Sequence, residues 1–312
     1  MSSQHVPAHE EVPPPATQEV SDGIFAYVQL DGSWFLNNAG CVVGPEGVIV
    51  IDTVGTEMRA RAFHAAVRAI TDRPAQALIN THSHGDHTHG NFVFAPRTAI
   101  IGHTNCRTEI LAAGHAVRAL FPTTDFGEFP ITPPFVTFDD RLTVYAGDLQ
   151  IELFYVGPAH TRSDVVAWIP ERKVLFTGDI VFNGGTPFAI AGSVAGWLET
   201  LDRLKGLGAE TIVPGHGPVC GPEALDAVGD YLRWVQELAA EGFKKGAPPL
   251  ELAQTTRLGR FGELTDPERL VPNLHRAYSE LRGEPRGAPL DFPALFQEMI
   301  TYNGGKPLRC LA

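Results

Sequence analysis

The 312-residue sequence predicts an α/β fold in which strands and amphipathic helices alternate in two similar halves. Two observations predict this class. Short β-rich segments are bounded by turns containing Gly, Pro or Asp, and they alternate with longer segments whose apolar residues recur at helical spacing. We predict strands over 24–30, 34–43, 47–54, 77–80, 98–102, 136–138, 142–145, 149–156, 165–169, 174–177 and 211–213, and helices over 57–71, 104–120, 195–206 and 222–241.

The chain is predicted to comprise three parts. Residues 1–21 are polar and Pro-rich, which predicts a flexible N-terminal tail. Residues 22–242 carry the alternating pattern and form the predicted catalytic domain. A Gly- and Pro-bearing linker over 242–249 leads into a helical C-terminal extension, residues 243–312.

Composition narrows the classes of function. The net charge of −12 and the absence of a dense Lys/Arg run argue against nucleic acid as a partner. No apolar run reaches the roughly 18 residues of a membrane span, and the first residues lack the basic and apolar regions of a secretory signal. The four cysteines are scattered without a C-x-x-C pair. We therefore expect a cytoplasmic protein with reduced cysteines and no membrane partner.

A dense group of metal-ligand side chains follows the predicted strand 77–80. The sequence THSHGDHTHGN at 81–91 contains His82, His84, Asp86 and His87. Alternate residues of extended backbone point the same way, so His82 and His84 can converge on one ion. Asp86 and His87 turn toward a second ion. Because one loop cannot complete two coordination shells, more distant ligands are required.

Three more candidate ligands stand at predicted strand ends. His160 lies in Gly-Pro-Ala-His, Asp179 in Thr-Gly-Asp, and His216 in Pro-Gly-His-Gly. Imidazole and carboxylate ligands together suit Zn²⁺ first, with Fe and Mn²⁺ as alternatives. The sequence therefore predicts a site for two divalent metal ions.

The order HxHxDH, Gly-x-x-His, Gly-Asp and Gly-His-Gly resembles the metallo-β-lactamase superfamily, from Asp22 to about Glu241. The resemblance implies a four-layered αβ/βα sandwich with two metals at one edge, between the sheets. It also implies that His82, His84 and His160 hold the first metal. Asp86, His87 and His216 would hold the second, Asp179 would bridge both, and Asp52 would support the site without binding metal.

The expected activity is that of a metal-dependent hydrolase. Two ions can share a water and lower its pKa toward about 7. The resulting metal-bound hydroxide, oriented by Asp86, would cleave an ester, thioester, lactone or amide of a small molecule. Asp179 and His84 favour the branch similar to glyoxalase II, which contains thioesterases and lactonases. The residues after Asp179, Ile-Val-Phe, lack the Tyr that many lactonases carry, which weakens the lactonase interpretation.

Three other hypotheses remain open at this level. A mononuclear iron enzyme similar to persulfide dioxygenases shares much of the ligand pattern. A biosynthetic tailoring enzyme, for acyl release, cyclisation or decarboxylation, would use the same ions. A non-catalytic metal-binding scaffold is the third, and the complete ligand set disfavours it.

Substrate contacts are expected from the loops 34–38, 121–134 and 183–193. Their aromatic residues would form an apolar pocket. These residues are Trp34, Phe121, Phe126, Phe129 and Phe188. His89, next to the metal cluster, is predicted to have a supporting or surface role. The expected partner is a small-molecule substrate, and a homodimer is possible.

Overall fold

The computed structural model describes residues 12–312 and contains two β-sheets with helices on their outer faces. The first sheet has seven strands, in the spatial order of the sequence. They are β1 (Ala16–Ser21), β2 (Ile24–Val28), β3 (Ala39–Val43), β4 (Val48–Ile51), β5 (Ala75–Ile79), β6 (Ala99–His103) and β7 (Val136–Phe138). Strands β1 to β4 form an antiparallel meander, and β4 to β7 are parallel.

The second sheet has five strands, in the order β12-β11-β10-β9-β8. They are β8 (Arg141–Ala146), β9 (Leu149–Tyr155), β10 (Val165–Ile169), β11 (Val174–Phe182) and β12 (Thr211–His216). The strands β8 to β11 pair antiparallel, and β12 pairs parallel with β11. Apolar residues of both sheets, including Ile51, Ile79, Ile151 and Phe176, meet in one core between them.

Ten α-helices are present in the described residues. They are α1 (Glu57–Ile70), α2 (Gly85–Thr88), α3 (Asn91–Phe94), α4 (Thr104–Ala113), α5 (Val117–Leu120), α6 (Val194–Lys205), α7 (Glu223–Lys245), α8 (Pro249–Thr255), α9 (Leu270–Leu281) and α10 (Phe292–Tyr302). The helix α1 packs its apolar face on the first sheet, while α6 and α7 cover the second. The four layers confirm the predicted αβ/βα class.

The predicted N-terminal tail is wrong at its inner end. Residues 1–11 lie outside the described residues, but Ala16–Ser21 forms strand β1 and pairs antiparallel with β2. The two strands join through Asp22 and Gly23, and Gly23 has a φ of +71°, which glycine adopts without strain. An Asp-Gly pair between β-rich segments is a hairpin signal.

One predicted strand is shorter than expected, and one predicted helix is interrupted. The strand predicted over 34–43 occupies only Ala39–Val43, because Phe35 has a φ of +63° that breaks the extended backbone. The helix predicted over 104–120 is interrupted at Gly114, whose φ is +50°, and continues as α5. Both irregular segments lie beside the site described below.

The predicted boundary before the C-terminal extension is also wrong. Helix α7 runs through Gly242 to Lys245 and ends at Gly246, so only residues 246–248 connect it to α8. Gly242 marks a close helix crossing, because a Cβ there would lie 2.3 Å from Leu252 of α8. The extension also contributes Leu274 and Met299 to the same core as α6 and α7. The extension therefore packs as part of the same domain as α6 and α7.

Among residues 12–312, no helix combines the length and apolar character needed to cross a membrane.

Candidate metal centre

The predicted ligands come from four positions at one edge of the two sheets. His82 and His84 follow β5, and the short helix α2 presents Asp86 and His87 in its single turn. His160 lies in the loop after β9, and His216 is the last residue of β12.

Asp179 was predicted at a strand end but lies inside β11, which is longer than expected. At Gly178, whose φ is +51°, the register between β11 and β12 shifts. A Cβ at Gly178 would lie 2.4 Å from the Thr81 hydroxyl, so only glycine allows this close approach. The irregularity places Asp179 beside the loop that carries His82.

All seven predicted ligands meet in two groups that share Asp179. The first contains His82, His84, His160 and Asp179, and the second contains Asp86, His87, Asp179 and His216. Within each group, one nitrogen or oxygen atom from every residue lies within 4.8 Å of the others. This is the division into two sites, joined by one carboxylate, that the resemblance implies.

Hydrogen bonds outside the cluster fix which ring nitrogen faces it. A carbonyl oxygen can only accept, so Nδ1 of His160 donates to Phe188 O at 2.6 Å and Nδ1 of His216 donates to Gly32 O at 2.9 Å. Their Nε2 atoms therefore face the cluster. These atoms lie 3.2 and 3.5 Å from Oδ2 of Asp179.

Three buried polar atoms of the cluster make no hydrogen bond of good geometry, although two of them, on His87 and Asp179, lie 3.0 Å apart. They are Nε2 of His82, Nε2 of His87 and Oδ1 of Asp179. Leaving such atoms unsatisfied costs about 1–3 kcal/mol each, more for a charged group. A divalent cation in each ligand group would satisfy these atoms, so the residues fit the pair of metal ions that the sequence predicts.

The electrostatics of the cluster also favour cations. Burial opposes ionisation of Asp179, but the charges of His216 and His87 outweigh it and hold its pKa well below the usual value. Burial lowers the pKa of His160 to about 3, so its imidazole is neutral. For His216, burial is outweighed by Asp179 and Asp86, which raise the pKa to about 9. The buried carboxylates thus require positive charge, from protons or from metal ions.

Two supporting carboxylates hold the ligand loops. Asp52 accepts from Nδ1 of His87 at 2.9 Å, in the supporting role predicted for it. Asp164, which the sequence analysis missed, accepts from the main chain of Ala159 and Thr161 at 3.0 Å, on either side of His160. A Thr or Ser followed within three residues by Asp after a ligand is the signal that could have revealed it.

A cavity of about 810 Å³ opens onto the cluster. Asp86, Asp179, His84 and His216 contribute to its lining. Its wall is largely apolar and includes Trp34, Leu120, Phe121, Phe129, Phe188 and Phe296. Four of the five predicted pocket aromatics therefore line it.

One predicted pocket aromatic, Phe126, lies outside the cavity lining, and His89 occupies one of the two kinds of position expected for it. Phe126 packs behind the wall against Phe35, with ring centroids 5.1 Å apart. His89 is not a surface residue: it lines the cavity and stacks on Phe129, with ring centroids 4.1 Å apart.

Comparisons with known proteins agree with this geometry. The chain is 28% identical over 220 residues to the 2,4-dinitroanisole O-demethylase subunit alpha of Nocardioides sp. strain JS1661. The alignment covers 68% of this chain and 60% of that protein. It is 24% identical over 260 residues to the linear primary-alkylsulfatase of Pseudomonas sp. strain ATCC 19151, which covers 70% of this chain and 49% of that one. The chain thus matches about half to three fifths of these relatives' length.

The fold is shared with solved structures. A metallo-beta-lactamase from Pontibacter korlensis aligns with a TM-score of 0.58 at 22% identity, covering 70% of this chain and 99% of that one. Residues 32–216 match the sequence profile of the metallo-beta-lactamase superfamily and include all seven clustered ligands. The chain belongs to the metallo-beta-lactamase superfamily.

Proposed function

We propose that this protein is a dinuclear metal-dependent hydrolase that cleaves an ester, thioester, lactone or amide of a small molecule with an apolar body. One observation carries the proposal. Two groups of His and Asp side chains that share Asp179 adjoin an apolar cavity large enough for a small molecule, and Asp86, Asp179 and His216 line it.

Two Zn²⁺ ions, or Fe or Mn²⁺ in their place, would supply a polarised water and Lewis-acid stabilisation of the developing negative charge. The chain's own residues would do the rest. His82, His84 and His160 would hold one ion, and Asp86, His87 and His216 the other, with Asp179 shared by both groups.

Asp86 is positioned to interact with the attacking water. Its side chain is 13% exposed and lines the cavity, and Oδ2 lies 3.2 Å from Nε2 of His216. Its environment, in which burial is outweighed by the charges of His87 and His216, holds the pKa well below the usual value, so Asp86 is a carboxylate. It would accept a hydrogen bond from the attacking water and so orient it.

The cavity wall supports an apolar substrate body. Burying apolar surface contributes roughly 25 cal/mol per Å², so the aromatic wall would bind an acyl chain or a ring beside the scissile bond. Glu109 and Arg162, two charged residues of the cavity lining, are paired with each other. Glu109 accepts from Ser83 at 2.7 Å, from Ser163 at 2.9 Å and from Arg162 at 3.0 Å.

The relatives suggest a second candidate function. The alkylsulfatase and the demethylase are named for sulfate esters of alkyl chains and for an aryl ether, and both substrates have apolar bodies. The same metal centre and apolar wall would serve these bonds. We therefore include an alkyl sulfate and dinitroanisole among the substrates to be tested.

Steady-state kinetics on the zinc-loaded protein would test the proposal. The substrates are p-nitrophenyl esters from acetate to dodecanoate, an acyl thioester, an acyl lactone, an alkyl sulfate and dinitroanisole. We expect kcat/KM to rise with the size of the apolar group until the cavity is filled. The variant Asp179→Ala should lose this activity, and Asp202→Ala, a change of an exposed carboxylate, should keep it. Equal activity in both variants would contradict the proposal.

A further inference from the structure

Helix α9 lies outside the family-matched residues 32–216, yet one of its faces holds the loop that follows β11. The contacts come from positions 269, 273, 276 and 280, at helical spacing. Arg269 donates to Thr186 O at 3.1 Å, Asn273 to Pro187 O at 2.7 Å and Arg276 to Ile190 O at 2.7 Å, while Glu280 accepts from Val194 N at 2.7 Å and Ala195 N at 3.1 Å.

Asn273 is the central residue of this face. It is fully buried, and its amide makes two hydrogen bonds that flank Phe188. Its Nδ2 donates to Pro187 O, and its Oδ1 accepts from Ala189 N, both at 2.7 Å. This pairing fixes the main chain on both sides of Phe188.

The Phe188 carbonyl is the group that orients His160. It accepts from Nδ1 of His160 at 2.6 Å, which turns Nε2 toward Oδ2 of Asp179 at 3.2 Å. Ser193 N also donates to Ala159 O at 2.7 Å, so the braced loop contacts the loop of His160 at a second point. Asn273 is therefore connected to the first ligand group through its hydrogen bonds to residues 187 and 189, the main chain at Phe188 and the hydrogen bond from His160.

A separate path from the same segment reaches the second ligand group. Oε1 of Glu268 accepts from Nε1 of Trp34 at 2.8 Å, and both side chains are buried. Trp34 lies two residues after Gly32, whose carbonyl accepts from Nδ1 of His216 at 2.9 Å. Glu268 therefore anchors the loop that orients His216.

We propose that Asn273 and Glu268 are positioning residues for the metal centre: Asn273 for the group containing His160, and Glu268 for the group containing His216. Neither contacts the cluster. Each holds a main-chain carbonyl that fixes the orientation of one ligand. The proposal rests on metal binding by the two groups, but not on any substrate.

Zinc affinity of the whole protein tests this directly. Chelator-stripped protein is titrated with Zn²⁺ in competition with a chromogenic chelator, which gives a dissociation constant for each equivalent. We expect Asn273→Ala and Glu268→Ala each to raise the dissociation constant of one zinc equivalent by about tenfold. This is the lower end of the loss of affinity seen when groups that orient a metal ligand are removed. Glu268→Gln keeps an acceptor for Trp34 and should bind zinc like the parent.

The matched control is Ser279→Ala on the same helix. Ser279 is fully buried and donates to Glu284 at 2.6 Å, away from the braced loop. The Ser279→Ala variant should lower the melting temperature but leave the dissociation constants of both zinc equivalents unchanged. If Asn273→Ala does not fold, Asn273→Asp, which keeps the acceptor for Ala189 N, replaces it.

Double-mutant cycles assign each effect to a ligand group. In a His216→Ala background, Asn273→Ala should still weaken zinc binding, whereas in a His160→Ala background it should have no further effect. Glu268→Ala should show the reverse pattern. Unchanged zinc constants, or equal effects in both backgrounds, would overturn the inference. Failure of the parent protein to bind zinc would instead overturn the proposed function.

Discussion

The carboxylate of Asp52 accepts from Nδ1 of His87 at 2.9 Å and also holds Thr81, whose main-chain N and hydroxyl both donate to it at 2.7 Å. The Thr81 hydroxyl in turn lies 3.0 Å from Nδ1 of His82. One buried side chain therefore orients a histidine of each ligand group. Asp52 does so from a left-handed backbone conformation, with a φ of +56°, at the end of β4.

Replacing Asp52 should weaken zinc binding without removing a ligand. We expect Asp52→Asn to lower zinc affinity by about 10–100-fold, because the carboxylate that holds the His87 imidazole is lost. Competition with a chromogenic chelator measures the change. Asp72→Asn, at an almost fully exposed carboxylate, is the control and should bind zinc like the parent. Equal zinc affinities would show that Asp52 does not support the site.

A charge placed in the cavity wall should impair apolar substrates selectively. Leu120 lines the cavity, whereas Leu111 on the preceding helix is 54% exposed and does not. We expect Leu120→Asp to raise KM for a long-chain p-nitrophenyl ester by about tenfold, since it removes much of one apolar contact. Leu111→Asp should leave KM unchanged. The same KM in both variants would place the substrate elsewhere.

Local patterns predicted the α/β class and the seven candidate ligands, whereas the αβ/βα sandwich was implied by the resemblance to the metallo-β-lactamase superfamily. His82, His84, Asp86 and His87 lie within six residues, and His160, Asp179 and His216 each follow a strand-like segment beside glycine. Strand ends on the same edge of a sandwich meet, which explains why these residues lie together, but their division into two groups was implied by the resemblance.

Other features depend on contacts between distant segments. The hydrogen bonds from Asn273 and Glu268 join residues 86 and 234 positions away. No local pattern indicates them. Gly242 looked like a linker residue, because glycine at a helix end and glycine at a helix crossing are alike in sequence.

The C-terminal extension should unfold together with the rest of the protein. Leu274 of α9 is fully buried in the core that α6 and α7 share. Leu274→Ala should lower the free energy of unfolding by about 2–5 kcal/mol, because it leaves a cavity. Urea denaturation of the Leu274→Ala variant should give the same single transition by tryptophan fluorescence and by circular dichroism. Its midpoint should lie at a lower urea concentration than that of the parent protein.

Leu281 on the same helix is 46% exposed, so Leu281→Ala is the control and should change stability little. Two separate transitions, of which Leu274→Ala shifts only one, would show that the extension is an independent domain.

Metal binding should stabilise the fold. Zn²⁺ that binds the native state alone at a hundred times its Kd stabilises by about 2.7 kcal/mol. We expect Tm to fall when the protein is treated with a chelator and to recover when Zn²⁺ is restored. The variant His82→Ala, which removes a ligand, should show a smaller recovery. A Tm that responds to neither treatment would contradict metal binding by the folded protein.

The central claim is that the chain holds two metal ions between its two ligand groups. Elemental analysis of the freshly purified protein, repeated after stripping and reloading, tests this most directly. We expect close to two equivalents of zinc, iron or manganese per chain. The metal content should be lower in the His160→Ala and His216→Ala variants. A single equivalent of iron would favour the mononuclear iron enzyme, and no tightly held metal would contradict the metal-dependent hydrolase itself.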